Sequence, residues 1–152
     1  MNERFAQLEL LSRQVHQAHR NAVSAEMNAR GLGEVGHPML LTILKAGTDQ
    51  PFAQRELAEM LHISSAAVAG SLKSLEKGGY IRREPEPGDA RRNRVQLTAK
   101  GWMAVADCEA VFQRVSERML AGFTEEEQEL LTGFRTRMLN NLRGTSPEQE
   151  GP

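Results

Sequence analysis

The chain holds a single cysteine among its 152 residues, so no internal disulfide can staple it and a packed core must do that work. One thiol also fits a reducing compartment, and a cytoplasmic location is expected. No apolar run approaches the roughly 18 residues that span a bilayer, so no membrane partner is expected. The opening MNERFAQLELLSRQ carries acids and an amphipathic period, unlike a signal peptide. There is no glycine-rich phosphate loop, no Cys/His pair at ligand spacing and no carboxylate pair in a catalytic setting. An enzyme, a cofactor and a bound metal are therefore not expected. No internal repeat is present.

What the chain has is one domain's length, with 39% hydrophobic and 26% charged residues, ordinary values for a globular protein. The net charge of −1 hides a division. Residues 1–54 balance five basic against five acidic side chains. Residues 55–100 carry nine basic and six acidic ones, and residues 101–152 carry five basic and nine acidic ones. The positive segment is where a phosphate-facing surface is expected.

Phe5, Leu8, Leu11, Val15, Ala18 and Ala22 recur every three or four residues and predict a long helix over 3–30. It has no local core to cover, so it is expected to pack on C-terminal helices of its own chain or of a partner. Gly31, Gly33 and Gly36 break it, and Pro38 suits the first turn of a second helix. After a turn at Thr48–Pro51, a third helix is expected from about Ala53 to Leu61, with Leu57, Met60 and Leu61 facing inward. His62-Ile63 is a turn and Ser64 an N-cap for the next helix. Val68, Leu72 and Leu75 form that helix's buried stripe at i, i+4 and i+7. Its other face shows Ser65, Ala66, Ala69, Gly70 and Lys73, most of them tiny. Gly70 costs about 1 kcal/mol relative to alanine, which close approach to another surface would explain.

Gly78-Gly79 ends this helix. A short strand, Tyr80–Arg83, precedes a turn-rich stretch from Glu84 to Asp89 that reads as irregular. Val95-Gln96-Leu97 alternates as the return strand, leaving Arg91, Arg92 and Arg94 near the tip of a β-ribbon. Thr98 caps a helix to about Ala121, with Trp102, Val105, Cys108, Phe112, Val115 and Met119 along one face. Gly122 ends it, and Thr124 to Glu127 form a capping box for a last helix with Leu131, Phe134, Met138 and Leu142 inward. The fold class expected is mainly α with a small β-wing. Residues 37–100 form a winged helix-turn-helix module, a unit whose second helix fits the DNA major groove. Residues 1–36 and 101–143 would be N- and C-terminal dimerisation helices, and 144–152 a disordered tail.

The stretches ELAEMLHISSAAVAGSLKSLEKGGYIRR and PGDARRNRVQLTAKG resemble the helix-turn-helix and wing of the MarR family of transcriptional regulators. The resemblance covers about residues 37–101. It implies a homodimer on a pseudo-palindromic double-stranded DNA operator, with helix 64–77 in the major groove and Arg91 in the adjacent minor groove. It also implies a repressor released by a small phenolic or other aromatic ligand, although no pocket residue is carried over by motif. Asp89 would brace the wing by pairing with an arginine, Arg91 or Arg92.

The residues expected at DNA are then Ser64, Ser65, Ala66, Ala69, Gly70 and Lys73 on the helix, with Arg83, Asp89, Arg91, Arg92 and Arg94 on the wing. Phosphate contacts from the arginines would fix register. Long polar side chains are scarce on the helix, so part of the specificity is expected from wing arginine and DNA shape. Three alternatives stand beside this. A winged helix can bind protein alone. Cys108 could sense oxidants, but its place on an apolar stripe favours a core role. His16 and His19, with Glu26 and His37, could bind metal, but lining a ligand pocket suits the three histidines better.

Overall fold

The computed structural model describes residues 2–47 and 51–144. The turn expected at Thr48–Gln50 and, apart from Gly144, the expected tail lie outside them. Among the described residues the chain order is α1 (Glu3–Ala29), α2 (Pro38–Ala46), β1 (Pro51–Ala53), α3 (Gln54–Leu61), α4 (Ser65–Lys77), β2 (Ile81–Glu86), β3 (Asp89–Leu97), α5 (Ala99–Met119) and α6 (Glu125–Arg143). The architecture is mainly helical with a small antiparallel sheet in the order β1-β3-β2, as the residue pattern leads one to expect. Two compact units divide between Val115 and Ser116, inside α5.

The first unit is organised by α4. Ser64 caps it by accepting the Ala67 N–H at 3.0 Å. Val68, Leu72 and Leu75 are fully or almost fully buried, each stabilising by about 1.5–3 kcal/mol. They meet Leu40, Leu41 and Leu44 of α2, Leu57 and Ala58 of α3, Ile81, Val95 and Leu97 of the ribbon, and Val105, Cys108 and Val111 of α5 in one core. Helix α4 stops because Gly79 takes a left-handed φ of +79°. The Tyr80 N–H then returns to the Leu75 carbonyl at 2.9 Å and the Gly79 N–H to that of Glu76 at 3.0 Å, a Schellman closure.

Local signals placed α4 well and its neighbours less well. Met60 is 59% exposed, and Ala58 takes the inward position beside Leu57. Helix α3 spans eight residues, just over two turns, so its covered arc is narrow. Trp102 is also exposed. Gly101, one residue earlier, presses α5 against the Tyr80 carbonyl, and a step of about 100° turns Trp102 outward. The stretch Glu84–Asp89 is not irregular. Strand β2 continues through Glu86, β3 begins at Asp89, and Pro87-Gly88 is the turn. Pro85 is tolerated because β2 is an edge strand. Strand β1 went unforeseen; it pairs Pro51, Phe52 and Ala53 with Arg94, Asn93 and Arg92.

The 27-residue α1 buries only Val23 and Met27, while Phe5, Leu8, Leu11 and Val15 stay exposed. In the second unit, Thr124 and Glu127 cap α6 reciprocally, at 2.9 and 3.1 Å. No residue of α6 is buried; Phe134, Met138 and Leu142 are exposed and Leu131 half-buried.

A methyl group at Gly101 would overlap the Tyr80 carbonyl, a backbone atom that cannot swing aside. Gly101→Ala is expected to cost about 2 kcal/mol or more, roughly 5 °C in thermal midpoint. An unchanged midpoint would contradict this packing.

Candidate nucleic-acid interface

The face of α4 opposite the core is smooth. Ser65, Ala66, Gly70 and Lys73 are exposed and Ala69 half-buried, and a side-chain carbon at Gly70 would meet only open space. The Ser64 hydroxyl is engaged as the cap. Nothing in the first two turns of this face extends far, the long side chains Lys73 and Lys77 coming only later in the helix, so another surface can approach the backbone of those turns closely.

The wing residues come with partners. Asp89 Oδ1 accepts the Arg91 backbone N–H at 3.0 Å and its Nε at 3.3 Å, which identifies the arginine it holds. Arg91 is nonetheless 90% exposed and stands clear of the sheet. Arg94 donates to both Glu86 oxygens, at 2.6 and 3.2 Å. Arg92 donates to Glu56 and to the Pro51 carbonyl, both at 2.9 Å. Arg83 lies 3.5 Å from Glu76 of α4. The wing thus carries its own counter-charges, and a count of basic residues overstates its free positive charge.

These contacts hold three carboxyls below their ordinary range. For Glu56 the Ala53 N–H contributes most and Arg92 next; for Glu86 it is Arg94; for Asp89 it is the Arg91 N–H and then its guanidinium. Glu56 escaped the residue pattern. Its signal is half a capping box, a glutamate three residues after Ala53, which has no side-chain oxygen to complete it. A groove of about 560 Å³ lies between the first turn of α3, Ser65 and the wing, lined by Gln54, Arg55, Arg91 and Asn93 among others. Ser65, Asp89, Arg91 and Arg92, which also line it, stand out in the sequence, whereas Gln54, Arg55, Glu56 and Asn93 do not, because they join them only in the fold.

The three histidines do not form one constellation. His16 is exposed on α1, His19 half-buried, and His37 precedes α2. Among the described residues no hydrogen bond joins them. The His37 Nδ1 is buried with no partner, and burial lowers its pKa. No three His, Cys, Asp or Glu side chains among the described residues gather as a metal site. Cys108 is fully buried, and desolvation, followed by Asp107 and Glu109, pushes its thiol up to about 11. Little thiolate forms near neutrality, so the side chain behaves as a small hydrophobe. No helix among the described residues is long and apolar enough to cross a membrane.

Comparison with known proteins gives a consistent picture. The family model described as MarR family matches residues 31–92. The transcriptional regulator HosA of Escherichia coli O111:H- is 34% identical over 99 residues, 64% of this chain and 73% of that protein. Two uncharacterised HTH-type regulators of Bacillus subtilis also match, and the chain spans only 53% and 62% of their lengths. The crystal structure of transcriptional regulator PA3341 superposes with a TM-score of 0.73 at 29% identity, covering 90% of this chain and 98% of that one. An S. aureus MepR–DNA complex superposes with a TM-score of 0.75 over 93% and 99% of the two chains; at 23% identity it speaks for the fold alone.

Because Glu56, Glu86 and Asp89 have lowered folded-state pKa values, their contribution to stability is present above the ordinary carboxylate range. It is lost as pH falls through the lower folded values. An earlier loss begins below about pH 6.5 with half-buried His37, whose folded pKa is lowered. The share of thermal stability due to the three carboxylates should be constant near neutrality and be lost below about pH 4. Glu86→Gln should shrink that acid loss; an acid limb identical to wild type would show that the Arg94 pair contributes nothing.

Proposed function

This chain belongs to the MarR family, and from that premise we propose that it is a homodimeric, sequence-specific DNA-binding transcriptional regulator of the cytoplasm. The observation that carries the reading is the pairing of a smooth α4 face with one fully projecting arginine, Arg91, on the neighbouring wing. In this reading the first turns of α4, from Ser64 and Ser65 through Ala66, Ala69 and Gly70 to Lys73, seat in the major groove. Arg91 enters the adjacent minor groove, where width and potential depend on sequence. Arg83 and Arg94 flank the phosphate path, Arg92 lies beside them engaged with Glu56, and Asp89 orients Arg91.

Dimerisation is supported by what lies outside the core. Phe5, Leu8, Leu11 and Val15 on α1, and Phe134, Met138 and Leu142 on α6, are solvent-exposed. Stripes of this kind on helical faces call for a partner surface. We assign them to a second copy, which would set two recognition helices about 34 Å apart for a pseudo-palindromic site. Repression follows if the operator overlaps a promoter. Release by a small aromatic ligand would require a cavity near the α1–α2 corner, where the partnerless His37 Nδ1 is a ready polar anchor.

The test is binding to the DNA upstream of the chain's own gene across a salt series. Log affinity should fall linearly with log salt, losing about 0.9 per phosphate contacted. No binding at low salt, with or without small aromatic acids, would favour a protein-binding winged helix instead. Gly70→Ala separates fit from stability. It should raise stability by about 1 kcal/mol through helix propensity, yet weaken DNA binding by crowding the groove. Tighter binding would sink the close-approach argument.

A further inference from the structure

Arg91 and Arg92 stand side by side on the wing, and on charge alone both count as DNA contacts. Their surroundings differ. Successive strand residues project to opposite faces, and the Arg91 side chain is 90% exposed against 35% for Arg92. Arg92 lies opposite Ala53 in the β1–β3 pairing. Its guanidinium reaches back onto the helix-turn-helix, Nη1 donating to Glu56 Oε1 and Nη2 to the Pro51 carbonyl, both at 2.9 Å. The other Glu56 oxygen accepts the Ala53 N–H at 3.2 Å. One carboxylate and one guanidinium therefore join the wing strand, β1 and the first turn of α3.

We propose that Arg92 and Glu56 are positioning residues for DNA binding. They fix the angle between wing and helix-turn-helix, so that Arg91 meets the duplex when α4 is seated. The inference rests on the regulator reading above. Register explains why such a brace is needed. Pro85 pairs with Asn93 but Glu86 with Asp89, so Ala90, Arg91 and Arg92 bulge away from β2. A bulged ribbon bends and twists locally. Arg92 sits at that weak point, where β3 is held only by the three-residue β1. Arginine suits the task because its planar fork serves two acceptors at once, which a lysine cannot do with the same fixed geometry. A guanidinium occupied in this way has little left for phosphate, and Glu56 beside it would repel phosphate.

The experiment compares Arg92→Ala, Arg92→Lys, Glu56→Ala and the Glu56→Ala/Arg92→Ala double variant with Lys73→Ala as a phosphate-contact control. Affinity for a mixed-sequence duplex long enough for both half-sites is read by fluorescence anisotropy over a salt series, with folding checked by circular dichroism. Lys73→Ala should flatten the salt slope by about one unit. The Arg92 variants should weaken binding roughly two- to fivefold, the worth of an exposed ion pair, at wild-type slope. Glu56→Ala removes a negative charge near DNA and should still weaken binding, and the double variant should be no weaker than Arg92→Ala. A slope flattened by Arg92→Ala, or tighter binding by Glu56→Ala, overturns the proposal. Should the wild-type chain bind no duplex at low salt, the regulator reading fails. Amide exchange in the free protein then decides the brace: faster exchange at Phe52 in both single alanine variants and at Ala53 in Arg92→Ala, where its own acceptor on Glu56 is intact, upholds it, and unchanged exchange there overturns it.

Discussion

The close approach of α5 to the end of α4, at Gly101 and Tyr80, is the constraint on which the first unit depends. A helix that stops leaves carbonyls without partners; the last of α4 take the Gly78, Gly79 and Tyr80 N–H groups, and the carbonyls of those three residues are met in turn from the start of α5. The Thr98 hydroxyl bonds the Gly79 and Tyr80 carbonyls at 2.5 and 3.2 Å while accepting the Gly101 N–H at 3.0 Å. Lys100 Nζ donates to the Gly78 carbonyl at 2.7 Å and lies 4.4 Å from the centre of the Tyr80 ring. The same few residues begin the ribbon, since Ile81 pairs with Leu97. Helix α4, the wing and α5 therefore share one anchor, and none can be re-aimed alone. Glu34 joins them by accepting the Tyr80 hydroxyl at 2.8 Å, tying in the loop between α1 and α2. Burial, with Glu34, pushes that hydroxyl's pKa up to about 12, so it stays a donor at any physiological pH.

From that anchor outward, order depends increasingly on charge pairs. Near Tyr80 the ribbon is held by Ile81, Val95 and Leu97 in the core. Further out no apolar side chain is buried, and Arg94 with Glu86, Arg92 with Glu56 and Arg91 with Asp89 take over. Exposed pairs of this kind add little to global stability. Their effect is directional: each fixes where one guanidinium points. On β3 the arginines are thus steered apart, Arg91 standing most exposed while Arg92 and Arg94 lean on Glu56 and Glu86. Affinity in such a site is governed by placement more than by net charge.

Legibility of the sequence followed how local each signal was. Helix α4 was readable in full, because its cap, its stripe at Val68, Leu72 and Leu75 and its glycine stop lie within 16 residues. The wing was half readable. Pro85, Pro87 and Gly88 look like loop residues, and only the edge position of β2 makes a strand through Pro85 acceptable. Strand β1 was invisible, since three residues carry no period and their partners lie some forty positions on. Glu56 as a wing residue was hidden for the same reason, 36 positions from Arg92. Met60 and Trp102 fit their helical periods, but which arc is covered is decided by neighbours. Which of Arg91 and Arg92 partners Asp89 depends on the fold as well, since the two are adjacent in sequence and differ only in which way they face.

The smooth α4 face and the apolar ends of the chain are two sides of one requirement. If α4 is the recognition helix, as proposed, its small residues, Ser65 and two lysines make few directional bonds, so a single module would hold DNA weakly. In the proposed dimer the second module binds at a high effective concentration set by the rigid spacing, and two weak contacts multiply. That gain exists only if the spacing does not drift. Spacing of this kind cannot be set by the surface ion pairs of a wing; it needs large apolar faces that pack in one way. Phe5, Leu8, Leu11 and Val15 on α1 and Phe134, Met138 and Leu142 on α6 supply such faces, each worth about 1.5–3 kcal/mol per side chain covered. The plainness of the reading surface thus makes strong demands on the helices farthest from it in sequence.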